Sequence, residues 1–486
     1  MSTYMKNAAV LMLFAALAAG SAEAKSPKRG VSESSFSLGC QMEALAPGVS
    51  WYYNWGNAPS KGYQNSVEDF TGFEFIPMAW NAGFSEEKIR SYCASHPEVK
   101  YILGYNEPNF TAQANMTPAQ AAETWPRLVA LARELGLQIV APALNYSPNA
   151  PYQDPLKWMD EFVAIVGLDS FDYTAVHCYG GAGVLKTLAT NFHNKYGKEV
   201  WVTEFCYWPE EGNPNMQIPQ ETQISSMMET VEWLEQTEWI HRYAWFKAIG
   251  QYNPDGTQKG PRYGLLERQP NGVTDHSNLS EQGYVYVYMS DFDKSIYYSA
   301  DQEISSSKYV DSQHLLLGKS NYDQNLCPIE ITKFATGATA DYQFDVPAAG
   351  QYTLALKASG QGEPVRFDPS IGVQKVAGET VTTLCEAKLM QLPGNDTEYV
   401  SLTFPLTLEA GKQTLRIYDG RPSQPSGIRI ASLKLASGSG VGQIGVEKVE
   451  NQDVYNLQGV KVLNAGEDIK RLPKGIYIVG GKKVRI

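Results

Sequence analysis

Glu107 and Glu204 are the residues whose type and placement could do chemistry. Glu107 lies in Asn106-Glu107-Pro108 and closes the apolar run Tyr101-Ile-Leu-Gly-Tyr105; Glu204 lies in Thr203-Glu204-Phe205 and closes Val200-Trp-Val202. Both runs read as buried strands. In a parallel barrel the active site sits at the carboxyl ends of the strands, so two strand-end carboxylates can face one cleft. Two carboxylates flanking one bond suit glycosidic cleavage: one protonates the departing oxygen, the other attacks or activates water.

The neighbours of each glutamate fit a sugar site. The Asn106 amide can donate to the hydroxyl beside the anomeric carbon, a bond that strengthens as positive charge develops. His177 and Tyr179 fall on one face of their strand by alternation. The tyrosine hydroxyl can hold a nucleophilic carboxylate ionised, and the histidine can orient the acid or the substrate. Trp245 is expected to form an aromatic floor under a sugar ring. Trp55, Trp80 and Trp208 are candidates to line further subsites, since sugar C–H faces stack on such rings. Asn54 and Asn145 are candidate contacts to hydroxyls. No cluster of histidines has metal-ligand spacing, so neither a metal nor a catalytic cofactor is expected. Gly-x-Ser-x-Gly is absent, which disfavours an esterase.

Eight strand-like runs must position these groups: Lys28–Val31, Ser50–Trp55, Phe73–Trp80, Lys100–Tyr105, Gln138–Ala143, Tyr173–Tyr179, Glu199–Glu204 and Arg242–Lys247. Helical stretches separate them. The clearest begins at Thr117, an N-cap with Pro118 at N1 and Gln120 completing a capping box, and ends near Gly136. Another runs from about Pro219 to Glu238. This order predicts an α/β fold, a (β/α)8 barrel over residues 25–292, with Glu107 on the fourth strand and Glu204 on the seventh. From about Ile296 short alternating segments divided by Gly and Pro predict an antiparallel β-sandwich over 295–437. A Gly/Ser linker follows at 438–445, then a small β-rich unit over 446–486.

The chain has 486 residues and a net charge of −12, which disfavours nucleic-acid or anionic-membrane partners because those need basic patches. Its 29 Tyr and 10 Trp suit an uncharged glycan. Lys6, the apolar run Ala8–Ala19 and Ala22-Glu23-Ala24 read as a signal peptide over 1–24. That predicts secretion, or display at the cell surface after export. The apolar run is too short to span a bilayer. Six cysteines without a Cys-x-x-Cys pair allow fifteen full pairings, and the sequence selects none. A monomer is the default.

Together, Lys28-Arg29-Gly30, Ser50-Trp-Tyr-Tyr-Asn-Trp55, Phe75-Ile-Pro-Met-Ala-Trp80, Leu103-Gly-Tyr-Asn-Glu-Pro108 and Val200-Trp-Val-Thr-Glu-Phe205 resemble glycoside hydrolase family 128. The resemblance covers roughly residues 28–290. It implies a clan-A retaining hydrolase, endo-acting on β-1,3-glucan, on a (β/α)8 barrel lacking some helices, with Glu107 as acid/base and Glu204 as nucleophile. Where that family usually has Asp after Asn-Glu-Pro, this chain has Asn109. Asp341-Tyr-Gln-Phe-Asp-Val-Pro-Ala-Ala-Gly350 and Gly411-Lys-Gln-Thr-Leu415 look like a carbohydrate-binding module of the family 6 or 35 type. That likeness implies glycan binding and a structural calcium. Val454-Tyr-Asn-Leu-Gln-Gly459 and Leu472-Pro-Lys-Gly-Ile-Tyr-Ile478 are similar to C-terminal sorting domains of type IX secretion substrates.

Overall fold

A computed structural model describes residues 25–210, 213–252, 259–267, 278–360, 370–421, 428–437, 453–457, 459–464, 472, 476–479 and 482–485. The expected signal peptide and linker, and part of the expected tail, lie outside the described residues.

Eight parallel strands come first: β1 (Arg29–Ser32), β2 (Trp51–Tyr53), β3 (Glu74–Phe75), β4 (Tyr101–Leu103), β5 (Gln138–Leu144), β6 (Tyr173–Cys178), β7 (Val200–Phe205) and β8 (Ile240–Phe246). Their order is β3-β2-β1-β8-β7-β6-β5-β4. The two edges meet where Met78, just past β3, bridges Leu103 of β4 in parallel. The expected (β/α)8 barrel is therefore present. β3 is much shorter than the Phe73–Trp80 run. Pro77 within that run has no N–H to give the ladder, although its carbonyl accepts from Leu103.

Among the described residues seven helices surround the barrel: α1 (Gly39–Leu45), α2 (Glu86–Ser95), α3 (Pro118–Leu135), α4 (Pro155–Val166), α5 (Ala182–Tyr196), α6 (Gln220–Gln236) and α7 (Glu281–Tyr288). Only a 3-10 turn at Tyr63–Asn65 separates β2 from β3. α3 starts as its sequence dictates: Thr117 accepts from Gln120 N, Gln120 Oε1 accepts from Thr117 N, and Gly136 ends the helix at φ 69°. Strand alternation then sorts the side chains. Trp51, Tyr53, Ile76, Leu103, Val140 and Trp201 fill the lumen, whereas Tyr52 and Trp245 join the core between strands and helices.

Arg29 ties β1 to that outer layer. Its buried guanidinium donates to Glu235 Oε1 (3.1 Å) on α6, Tyr243 Oη (3.0 Å) on β8, and the carbonyls of Tyr286, Met289 and Ser290.

The second unit is antiparallel apart from one short strand. It comprises β9 (Tyr298–Ser299), β10 (Glu303–Ser305), β11 (Asp311–Lys319), β12 (Ile329–Val346), β13 (Gly350–Gly360), β14 (Ser370–Ala377), β15 (Thr380–Leu389), β16 (Val400–Leu408), β17 (Gly411–Asp419) and β18 (Ile428–Ser437). The long β12 changes partners along its length, meeting β18 at Ile331 and β17 from Thr339 onwards. This unit docks on the helical wall of the barrel. Glu232 of α6 accepts from the N–H and hydroxyl of Ser312, Glu281 of α7 accepts from Lys319 N, and Lys333 pairs with Glu221. In the tail, β19 (Val454–Tyr455), β20 (Lys461–Leu463), β21 (Ile476–Val479) and β22 (Lys482–Arg485) form a separate four-stranded sheet.

Candidate active site

At the carboxyl ends of the barrel strands a cleft of about 330 Å³ is lined by residues at or just past the ends of seven of them, including Ser34, Trp55, Trp80, Asn106, Glu107, Tyr179, Glu204, Trp208, Phe246 and Lys247. That volume is at the small end for ligand sites, so a longer substrate has to continue over the open rim.

Two departures from regular strand geometry aim the carboxylates. Glu107 has φ 43°, in the left-handed region. Asn106 N donates to Trp80 O and Glu107 N to Ala143 O, so the turning chain stays stitched to both neighbouring strands. As a result two consecutive side chains, Asn106 and Glu107, both line the cleft, which a straight strand forbids. On β7 the register against β6 slips between Val202 and Glu204, and the extra residue is Thr203. The bulge turns both Thr203 and Glu204 toward His177.

His177 links the two glutamates. Its Nδ1 is 2.8 Å from Glu107 Oε1, and its Nε2 is 2.9 Å from Thr203 Oγ1 and 3.5 Å from Glu204 Oε1. Glu204 receives donors on both oxygens. The Tyr179 hydroxyl donates to Oε2, while the Tyr53 hydroxyl (3.0 Å) and the Trp55 indole N–H (2.8 Å) donate to Oε1. Burial pushes the Glu204 carboxyl above its usual range; His177 opposes this, Glu107 adds to it, and the Tyr179 and Trp55 donors also oppose it. Burial together with Glu204 holds the Tyr53 phenol well above its ordinary value, so Tyr53 stays a neutral donor.

Asn106 Nδ2 donates to Gln113 Oε1 (3.3 Å), and its buried Oδ1 has no partner among the described residues. Asn109 does not reach the glutamates. Its amide donates to Asn145 O (2.8 Å) and Tyr152 O (3.3 Å), two carbonyls to which an aspartate could not donate, and so fastens the β4 loop to the β5 loop.

Of the sequence candidates, Glu107, Glu204, Asn106, Tyr179, Trp55, Trp80 and Trp208 line this cleft, and His177 lies beneath it. Trp245 does not. Alternation along β8 turns Ala244 and Phe246 inward and Trp245 outward, where it is fully buried, packs on Phe205 and Tyr286, and donates to Tyr263 O. Phe246 lines the cleft in its stead. Asn54 is spent in its own turn, donating to Ala58 O and accepting from Gly56 N. Asn145 Oδ1 accepts from Tyr146 N, and neither asparagine lines the cleft. Tyr53, Thr203, Phe246 and Lys247 went unforeseen. Alternation back from Trp55 points to Tyr53, but no local signal marks the bulge that turns Thr203 inward.

Glu107, His177 and Glu204 each offer a ligand atom within 4.8 Å of the other two, so a cation could also be held there. The trio fits a metal only by sharing the groups that already bond one another.

The chain is 34% identical to a GH128 (subgroup II) endo-β-1,3-glucanase from Pseudomonas viridiflava, over 55% of this chain and 98% of that one, with a TM-score of 0.46. A subgroup II endo-β-1,3-glucanase from Sorangium cellulosum is 28% identical over 54% and 98%, with a TM-score of 0.45. Alkali-sensitive linkage protein 1 of Schizosaccharomyces pombe is 26% identical over 184 residues, 37% of this chain. The chain spans 31% of the length of that curated relative. Residues 31–286 match the model of the glycosyl hydrolase catalytic core, and the chain belongs to that family.

Proposed function

We propose that the barrel is a retaining glycoside hydrolase that cleaves β-1,3-glucan internally by double displacement. The observation that carries the reading is the buried carboxylate pair at the barrel mouth, with its nearest oxygens within 4.8 Å. That spacing is compatible with the roughly 5–5.5 Å between carboxyl groups of retaining enzymes and short of the roughly 6.5–9.5 Å that leaves room for an inverting water.

The surroundings separate the two roles. Glu204, with donors on both oxygens, is suited to be the ionised nucleophile. Glu107, held among the described residues by the side chain of His177 alone, is suited to carry the proton. Glu204 attacks the anomeric carbon while Glu107 gives its proton to the departing oxygen, which leaves a glycosyl ester on Glu204. Glu107, now ionised, takes a proton from the water that attacks this ester, and both carboxyls return to their starting states. Asn106 is placed to donate to the sugar hydroxyl beside the reacting carbon once substrate replaces Gln113. The substrate class rests on the motif resemblance over residues 28–290, and β-1,3-glucan is also the polymer named for the two bacterial glucanases.

The test is product analysis of wild type and Glu204→Gln on a soluble β-1,3-glucan. Oligosaccharides of retained anomeric configuration from wild type alone are the expected result. A fully active Glu204→Gln would overturn the nucleophile. Glycan binding without turnover by wild type would make the barrel a lectin, and cleavage only of another β-linked polymer would change the substrate. We further read the chain as exported, with residues 1–24 as its leader; an amino terminus other than Lys25 on the secreted protein would refute that cut.

A further inference from the structure

Lys247 lies one residue past Phe246 at the end of β8. Its side chain is 9% exposed, yet it lines the cleft beside Glu204, Trp55 and Gln251. Among the described residues no other lysine or arginine lines that cleft. Its ammonium is 3.1 Å from Oε1 of Glu33, a fully buried carboxylate one residue past β1.

Glu33 is a fixed anchor, because its oxygens also accept the backbone N–H groups of Ser35 and Ile249, each at 2.7 Å. An ammonium has three donors. Glu33 meets it as an ion pair, and no other described residue accepts from Lys247. A desolvated ammonium left with unused donors is costly unless something polar meets it. The same ammonium lies 5.9 Å from the centroid of the Trp55 ring, on the side of the cleft that holds the nucleophile.

We propose that Lys247 is a substrate-contacting residue, donating from its spare N–H groups to a hydroxyl of the sugar ring held against Glu204. Glu33 fixes the height and direction of the ammonium, and the Trp55 face confines it through the ring quadrupole. The inference rests on the glycoside hydrolase reading above. The competing account is structural: Lys247 merely neutralises Glu33.

The experiment measures kcat, KM and melting temperature for wild type, Lys247→Met, Lys247→Arg and the double variant Glu33→Gln/Lys247→Met, with laminarihexaose as substrate. Loss of a charge-assisted hydrogen bond predicts a fall in kcat/KM of about ten- to hundredfold for Lys247→Met. Lys247→Arg should keep part of the activity. The double variant, which removes both charges, should regain melting temperature without regaining kcat/KM. Recovery of kcat/KM by the double variant would assign Lys247 a structural role and overturn the proposal. So would an unchanged Lys247→Met. If Lys247→Met alone fails to fold, the double variant decides between the same two outcomes. A wild type that leaves laminarihexaose and the polymer intact would overturn the function reading and the Lys247 contact with it.

Discussion

Replacing Tyr179 by Phe removes a single oxygen and tests how Glu204 is kept ionised. The Tyr179 hydroxyl serves Oε2, while Tyr53 and Trp55 share Oε1, and the carboxyl is only 4% exposed. A hydrogen bond to a charged group contributes about 1.5–3 kcal/mol, so losing this donor should disfavour the ionised form by about that much and push the carboxyl further up. Burial already holds it above its ordinary value, and the substitution acts in the same direction. A carboxyl raised in the folded state favours folding below its unfolded value and loses that contribution as pH climbs through the folded value. Two readouts follow. The acidic limb of kcat/KM against pH moves upward, and the melting curves of variant and wild type coincide in acid but separate toward neutral pH. Both are read from pH series on laminarin hydrolysis and thermal unfolding. An acidic limb that stays in place while the rate falls equally at every pH would refute the reasoning, because the hydroxyl would then act on the substrate.

Arg29→Met should cost about 3–5 kcal/mol in urea unfolding, since it strands buried Glu235 and three carbonyls; a loss below about 1 kcal/mol would show that the network is dispensable. Burial pushes Glu232, at the contact with Ser312, up to about 7. Because burial outweighs the Ser312 donors, this carboxyl's contribution to folding is fully present below about 4.5 and is lost as pH rises through about 7, by at most about 3 kcal/mol. Glu232→Gln should flatten that pH dependence of melting, and an unaltered slope would place the titration elsewhere. Dialysis against a chelator should leave glucan hydrolysis unchanged; loss restored by a divalent cation would turn Glu107, His177 and Glu204 into a metal centre.

Much of this architecture is legible in the chain. Eight apolar runs, the Thr117–Gln120 capping box and the change to short alternating segments near Ile296 are local patterns, and they specify barrel, helix start and β-rich unit without knowledge of neighbours. The two glutamates are legible for the same reason, because a carboxylate that ends an apolar strand is a sequence feature. What tertiary structure alone decided is direction. The left-handed turn at Glu107 and the bulge at Thr203 arise where neighbouring strands claim particular backbone N–H and carbonyl groups. Each reverses the alternation that a one-dimensional reading assumes. The same period of two, once its phase is set by pairing with β1 and β7, sends Trp245 into the outer core and brings Phe246 to the cleft. Phase is a long-range quantity: residues set the period, but only packing against strands far away in the chain sets which side faces in.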